Sequence, residues 1–145
     1  MDGHGTCGVV AMLVVVCLAL PAGDTAAQSL DGSYRGSLTC AKLPFTDAAL
    51  DNEPVAVTIA NGKARYWRTI YGANRRTVVG KETGNGTLAA DGTLVLTGGW
   101  TGLRDSVKAS YNGKLTGGAA VLSGKQIVRF QGHSYNRDCT MTLKR

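Results

Sequence analysis

The feature that most constrains the fold is an alternation with a period of two. After Gln28, apolar and polar residues alternate in short runs, and no segment keeps a helical period. Alternation puts residues i and i+2 on one face of a β-strand. Asn61-Gly62 and Asp91-Gly92 separate such runs, and both dipeptides favour tight hairpin turns because their residues tolerate positive φ. The chain is therefore predicted to be all-β.

The number and spacing of the runs predict a closed meander. We count about eight strands with short connections, which suits an up-and-down barrel or a barrel-like sandwich. Closure removes the exposed edge strands that a small all-β chain must otherwise protect. The fold class is therefore predicted to be a small antiparallel barrel, preceded by a cleavable signal peptide.

The cysteines support closure. Cys7 and Cys17 lie within the predicted signal peptide, which leaves Cys40 in the first predicted strand and Cys139 in the last. In an oxidising compartment an isolated pair forms one disulfide. It would close a loop of about 100 residues, for which the chain-entropy model gives about 4.7 kcal/mol.

The N-terminal segment indicates export. Residues 8–20, GVVAMLVVVCLAL, carry no charge and precede a stretch of small residues. This run is shorter than the roughly 20 residues that a membrane-spanning helix needs, and it is typical of a signal peptide. We predict a signal peptide over residues 1–27 and one exported domain over 28–145, periplasmic or secreted, monomeric and without a transmembrane segment.

The charge of the predicted mature chain points to anionic partners. All 16 Lys and Arg, but only eight of the ten Asp and Glu, follow Gln28, which gives a net charge of +8. A cationic exported protein attracts lipid headgroups, acidic polysaccharide and acidic proteins. Solubility alone also accounts for such a charge.

Residues 64–76, ARYWRTIYGANRR, interleave basic and aromatic residues. Guanidinium groups pair with carboxylates and phosphates and stack on rings, and such mixtures hold sugars and single-stranded nucleic acid. Strand alternation divides the stretch, however, because Arg65 and Trp67 share one face while Tyr66 and Arg68 share the other. The candidate binding residues are Arg65, Tyr66, Trp67, Arg68, Tyr71, Arg75 and Arg76.

A short motif occurs twice. Residues 34–39 and 111–116 both read Tyr-x-Gly-x-Leu-Thr. The Tyr, Gly and Leu share a face, and a strand glycine commonly marks a bend or a close backbone approach. We interpret the motif as a structural solution used twice, not as a ligand signature.

Residues 41–54 predict a long loop that covers one barrel mouth. Its acidic residues, Asp47, Asp51 and Glu53, lack the spacing of a calcium loop and are interpreted as solvated surface.

Catalytic patterns are sparse. His133 is the only histidine after residue 28, and neither a nucleophile elbow nor a zinc or nucleotide motif occurs. We predict a non-enzymatic protein without cofactor or metal, and His133 near the last strand as a loop residue. A hydrolase using His133 and scattered acids ranks third, after two kinds of binding protein.

In size, strand count and a single disulfide the chain resembles avidin-like and lipocalin-like binders and periplasmic inhibitors. This resemblance concerns layout alone, and fold does not carry function. The leading hypothesis is a binding protein that recognises an acidic macromolecule through its basic and aromatic surface. The alternative is a carrier with an internal apolar cavity.

Overall fold

The computed structural model describes residues 30–46, 48–72 and 76–145, so the predicted signal peptide lies outside it. These residues form a closed antiparallel barrel in which each strand pairs with its sequence neighbours and the first pairs with the last. This confirms the predicted all-β meander. No helix in the described part of the chain is long and apolar enough to span a membrane. The strands are β1 (Gly32–Cys40), β2 (Leu50–Ala60), β3 (Lys63–Tyr71), β4 (Val78–Leu88), β5 (Thr93–Thr101), β6 (Ser106–Thr116), β7 (Ala119–Phe130) and β8 (His133–Lys144).

The predicted disulfide is confirmed at the closing seam. Cys40 of β1 lies directly opposite Cys139 of β8 in the strand register. Their Cα atoms are 4.0 Å apart, and the bond joins residues separated by 99 positions. The covalent link therefore fastens the two strands whose pairing turns an open sheet into a barrel.

The two ends of the barrel differ. The turn end carries the tight connections at 61–62, 89–92 and 117–118 together with both ends of the described chain. Asn61 and Gly62 have φ of 51° and 71°, as the hairpin prediction requires. The loop end carries the connections between β1 and β2, β3 and β4, β5 and β6, and β7 and β8, as far as the structure describes them.

The half of the barrel nearest the turn end is filled by its own apolar side chains. Tyr34 is almost fully buried, and its hydroxyl donates to the carbonyl oxygen of Leu30 at 2.6 Å. Burying one side chain of leucine size stabilises the fold by about 1.5–3 kcal/mol. This part of the core is formed by Tyr34, Leu38, Val57, Ile59, Ala64, Leu94, Leu96, Leu115, Ala120, Leu122, Met141 and Leu143.

The structure supports the structural interpretation of the repeated motif. A Cβ atom added to Gly36 would lie 1.6 Å from the carbonyl oxygen of Thr142, and one added to Gly113 would lie 2.2 Å from that of Val121. Both glycines therefore permit a backbone approach that no other residue allows. The Tyr and Leu of each copy are buried in the core.

One predicted boundary changes, and one predicted exposure is wrong. The expected loop over residues 41–54 ends earlier, because β2 already begins at Leu50. Glu53 was predicted as solvated surface but is 5 % exposed, because it lies on the inward face of β2. Asp51 is exposed as predicted, and Asp47 lies outside the described residues.

Candidate functional site

Strand β3 divides the predicted binding stretch between the outside and the inside of the barrel. Arg65 and Trp67 point outward and are exposed. The alternation predicted that these two residues share a face opposite Tyr66 and Arg68, but not which face lies outside. Tyr66 and Arg68 point inward and are 2 % and 3 % exposed. These two residues therefore cannot contact a partner on the outer surface, and the candidate outer surface does not include them.

The rest of the stretch lies at the loop end. Tyr71 ends β3 and is exposed, and Arg76 is exposed just before β4. Arg75 lies outside the described residues. In the described part of the chain, neither Tyr71 nor Arg76 contacts Trp67, so neither belongs to the outer face around Trp67.

Trp67 lies in a row of outward side chains that crosses the closing seam. Its strand partners are Ala56 on β2 and Thr83 on β4. Ala56 in turn lies opposite Arg35 on β1, and Arg35 lies opposite Lys144 on β8. Closure of the barrel thus brings a tryptophan from near the middle of the chain and a lysine from its end onto one surface.

A shallow hollow of about 130 Å³ lies beside Trp67. It is lined by Arg35, Gly36, Pro54, Val55, Ala56 and Trp67. The tryptophan is 46 % exposed, an unusual position for the largest apolar side chain on an otherwise polar strand face.

Cations surround this hollow. The Lys81 ammonium lies 4.3 Å from the Trp67 ring centroid, within the range of a cation–π contact. Arg65 follows in the next outward row, opposite Thr58 and Asn85. Among the described residues, Arg35, Arg65, Lys81 and Lys144 form no ion pair with a carboxylate. We call Arg35, Arg65, Trp67, Lys81 and Lys144 the Trp67 face.

The outer surface of β5 to β8 is different. It holds a larger open groove of about 500 Å³, lined mainly by small polar side chains such as Ser110 and Ser123. Lys125 at its edge is paired with Asp138 at 2.7 Å. This groove contains no aromatic side chain apart from part of Tyr111, which is buried. Its charge is locally neutralised, so it offers less to an anionic partner.

The middle of the barrel interior holds a buried polar network around Glu82. Arg68 donates to Glu82 Oε2 through Nε at 2.8 Å and through Nη2 at 2.7 Å. Tyr66 and Tyr111 donate their hydroxyls to Glu82 Oε1 at 3.0 and 3.3 Å. Gln126 donates to Glu82 Oε2 at 3.2 Å and to the Tyr111 hydroxyl at 2.8 Å. Every donor in the network therefore points at the carboxylate or at a neighbour already bound to it.

The network fixes the ionisation of its tyrosines. Burial raises the pKa of Tyr66 strongly, and the negative charge of Glu82 raises it further. Burial and Glu82 also raise the pKa of Tyr111. Both phenols thus remain protonated hydrogen-bond donors across the physiological range, which the carboxylate requires.

Arg137 extends the network toward the loop end. Its Nε and Nη2 both donate to Gln126 Oε1, at 2.9 and 2.6 Å. Burial lowers the pKa of Arg137, and the positive charge of Arg68 lowers it further. In the described part of the chain no carboxylate pairs with Arg137. Among the described residues its hydrogen-bond partner is a neutral amide oxygen, and the negative charge of Glu82 offsets part of the decrease in its pKa.

Aromatic side chains line the mouth above Arg137. Trp100 on β5 and Tyr135 on β8 point inward and are partly exposed. Phe45, from the connection at 41–49, stacks on Phe130 at 4.4 Å and meets Tyr135 edge-on at 4.9 Å. The connection between β1 and β2 therefore packs against the β7–β8 side of the mouth. This is consistent with the sequence prediction that it covers one end of the barrel.

His133 was predicted as a loop residue but is the first residue of β8, because the turn before it spans only residues 131–132. It is exposed at the rim, with its ring 6.4 Å from that of Tyr135. It forms no ion pair with any carboxylate of the described residues. The geometry therefore adds nothing to the hydrolase alternative.

Sequence reasoning did not single out Glu82, Gln126 or Arg137. Each occupies an inward position in the alternating pattern, where apolar residues are expected. The available sequence signal was one polar residue on the inward face of each of three strands, β4, β7 and β8. The arrangement of these residues around one carboxylate depends on the strand register, which the pattern does not specify.

No family model, no curated protein and no solved structure matches the chain.

Proposed function

We propose that the protein binds an acidic polysaccharide through the Trp67 face. The observation that carries this proposal is the exposed Trp67 beside a small hollow, surrounded by cations that have no carboxylate partner among the described residues. The role of the exported protein is then recognition of a surface or envelope component.

The charge arrangement supports an anionic partner. Arg35 and Lys144 lie directly opposite each other on neighbouring strands. Like charges in this position repel and destabilise the pairing. A polyanion that bridges the two side chains removes this repulsion and gains two charge-assisted contacts. The paired cations of the β5–β8 surface, such as Lys125 with Asp138, offer no such gain.

The form of the site supports a sugar as the unit recognised. Trp67 offers an apolar ring face with a polar edge, and side chains of this kind are common where one side of a ligand is apolar and the other is hydrated. The adjacent hollow of about 130 Å³ suits one small ring and not a helix or a strand. Hydroxyl side chains of Ser37, Thr58 and Thr83 border the same rows and supply hydrogen-bond partners.

The packed core favours recognition at the surface over an apolar internal carrier. The half near the turn end is filled by apolar side chains, and the middle is filled by the Glu82 network. A carrier for an apolar ligand needs an open apolar interior. The part of the interior that faces the loop end is polar at its base.

Binding to heparin and to polygalacturonate, measured by calorimetry at several salt concentrations, tests the proposal. Trp67→Ala is expected to lower affinity by a factor of about thirty, since a central tryptophan contributes about 2 kcal/mol or more at a binding site. Arg35→Glu with Lys144→Glu is expected to lower both the affinity and its salt dependence, because screened charge contacts are lost.

The matched control is Lys108→Glu with Arg129→Glu, which changes the net charge equally on the outer surface of β6 and β7. It is expected to retain most of the affinity. An equal loss in this control would show binding by overall charge and would contradict the site. Stronger, Trp67-dependent binding of polyaspartate or of anionic vesicles would assign the face to an acidic protein or to a membrane instead.

A further inference from the structure

The loop end of the barrel contains a second candidate site, separate from the Trp67 face. We propose that it binds a small organic anion, a carboxylate with an apolar body, whose charged group lies on Arg137 and whose body lies between Trp100, Val128 and Tyr135. This site is independent of the polysaccharide proposal because it lies inside the barrel, and the Trp67 face lies outside.

The first argument is charge. In the interior, the guanidinium of Arg68 is neutralised by Glu82 at 2.7 Å. The other buried carboxylate of the described residues, Glu53, is itself engaged in a contact. Arg137 is partly buried and has only the oxygen of Gln126 as a partner. A partly desolvated cation without a counter-ion is costly, and a bound anion removes this cost.

The second argument is the orientation of Arg137. Gln126 is held by two donated hydrogen bonds, to Glu82 and to the Tyr111 hydroxyl, so its carbonyl oxygen must face β8. That oxygen receives the Nε and Nη2 edge of Arg137. The Nη1 side of the guanidinium makes no hydrogen bond to any described residue. It remains available for the paired contact that arginine forms with a carboxylate.

The third argument is the surface above the guanidinium. Trp100, Val107, Val128 and Tyr135 are paired in sequence across β5, β6, β7 and β8, so they form one layer of inward side chains. Gln126 and Arg137 form a pair in the next layer toward the turn end. A ligand that reaches Arg137 from the mouth therefore passes between apolar side chains. An anion with an apolar body can pair with Arg137 and also contact the apolar layer above it, whereas inorganic phosphate can pair only with Arg137.

Small residues form part of the wall around these layers. Ala109 on β6 and Gly98 on β5 lie across from Gln126 in the same layer. The space at Gly98 is occupied by the Tyr66 hydroxyl, which would lie 2.7 Å from an added Cβ. Trp100 lies against Gly80 on β4, where an added Cβ would come within 1.9 Å of the indole nitrogen, so the indole packs on that wall. An eight-stranded barrel of this kind is wide enough to hold one small ligand.

The experiment compares two probes of the same shape, 2-naphthoate and the neutral 2-naphthamide, by calorimetry with the exported chain. The carboxylate is expected to bind at least tenfold more tightly than the amide, because only it forms the paired contact with Arg137. Arg137→Gln is expected to reduce naphthoate affinity to that of the amide. Arg129→Gln, which removes an outward arginine on β7, is expected to leave it unchanged.

A second variant keeps the test decisive if Arg137→Gln does not fold. Val128→Trp fills the mouth and leaves Arg137 in place, so it is expected to abolish naphthoate binding while near-ultraviolet circular dichroism shows a native core. Equal binding of acid and amide, no binding of either, or full binding by a folded Arg137→Gln protein would overturn the proposal. Loss of naphthoate binding in Trp67→Ala would also overturn it, since the probe would then lie on the outer face.

Discussion

Arg68 and Glu82 form an ion pair in the middle of the barrel, with Nη2 and Oε2 2.7 Å apart and both side chains buried. Lys125 and Asp138 form a pair of the same length on the outer surface, where both side chains are exposed. The two pairs have the same N···O distance and differ in burial. Comparing their stabilities therefore separates the energetic effect of burial from that of distance.

Glu82→Gln is expected to lower the free energy of unfolding by about 3–5 kcal/mol, because it leaves the buried Arg68 charge without a partner. An amide nitrogen in place of Oε2 would also face the donors of Arg68 and Gln126, whereas in place of Oε1 it would face two tyrosine hydroxyls, which can also accept. Urea unfolding at neutral pH measures the change. Asp138→Asn is the control and is expected to cost less than about 1 kcal/mol. Equal losses in the two variants would contradict the role assigned to burial.

The disulfide predicts a separable effect on stability. Cys40→Ser with Cys139→Ser is expected to lower the free energy of unfolding by about 2–5 kcal/mol, because the unfolded chain regains the freedom that a long closed loop removes. Denaturant unfolding of the wild type with and without reductant measures the same quantity without a mutation. Since the β1–β8 register also depends on backbone pairing, the native far-ultraviolet spectrum is expected to survive reduction. Loss of all β-structure on reduction would show that closure depends on the bond alone.

The alternating pattern and the turn dipeptides were sufficient to predict an antiparallel meander, because both signals are local. Asn61-Gly62 forms its hairpin, and Trp67 lies on the face opposite Tyr66 as the alternation requires. The cysteine positions then identified the closing seam. Each of these features depends on residues close in sequence or on one covalent pair.

The two candidate sites were not predictable in the same way. Arg35 lies beside Lys144 only because the barrel closes, and Gln126 lies beside Arg137 only because β7 and β8 adopt one register among several. A shift of two residues in that register would keep the same faces inward and would still separate the two side chains. Local patterns specify the face of a side chain but not its height in the barrel.

The buried tyrosines predict a loss of stability at high pH. The pKa values of Tyr66 and Tyr111 are raised in the folded state, so the folded protein retains these protons while the unfolded chain loses them above about pH 10. Their contribution is complete below that pH and is lost as the pH rises toward the folded-state values. The free energy of unfolding is expected to fall by up to about 1.4 kcal/mol per pH unit for each tyrosine.

Urea unfolding between pH 8 and pH 11.5 measures this slope. Tyr66→Phe with Tyr111→Phe is expected to be less stable at pH 8, because Glu82 loses two donors, and to show a shallower fall above pH 10. Tyr71→Phe, at an exposed position, serves as the control. An unchanged slope in the double variant would show that other groups cause the alkaline loss.

The repeated motif predicts that its two glycines are equivalent in kind. Gly36→Ala places a methyl group 1.6 Å from the Thr142 carbonyl oxygen, and Gly113→Ala places one 2.2 Å from that of Val121. Backbone atoms cannot move aside as a flexible side chain can, so each variant is expected to lose about 1–3 kcal/mol or more of unfolding free energy. Gly36 is expected to be the more sensitive, since its contact is shorter and lies on the β1–β8 seam. Thermal and urea unfolding measure both, with Ser33→Ala, an outward substitution on β1, as the control. If both glycine variants retained full stability, the structural interpretation of the motif would be wrong.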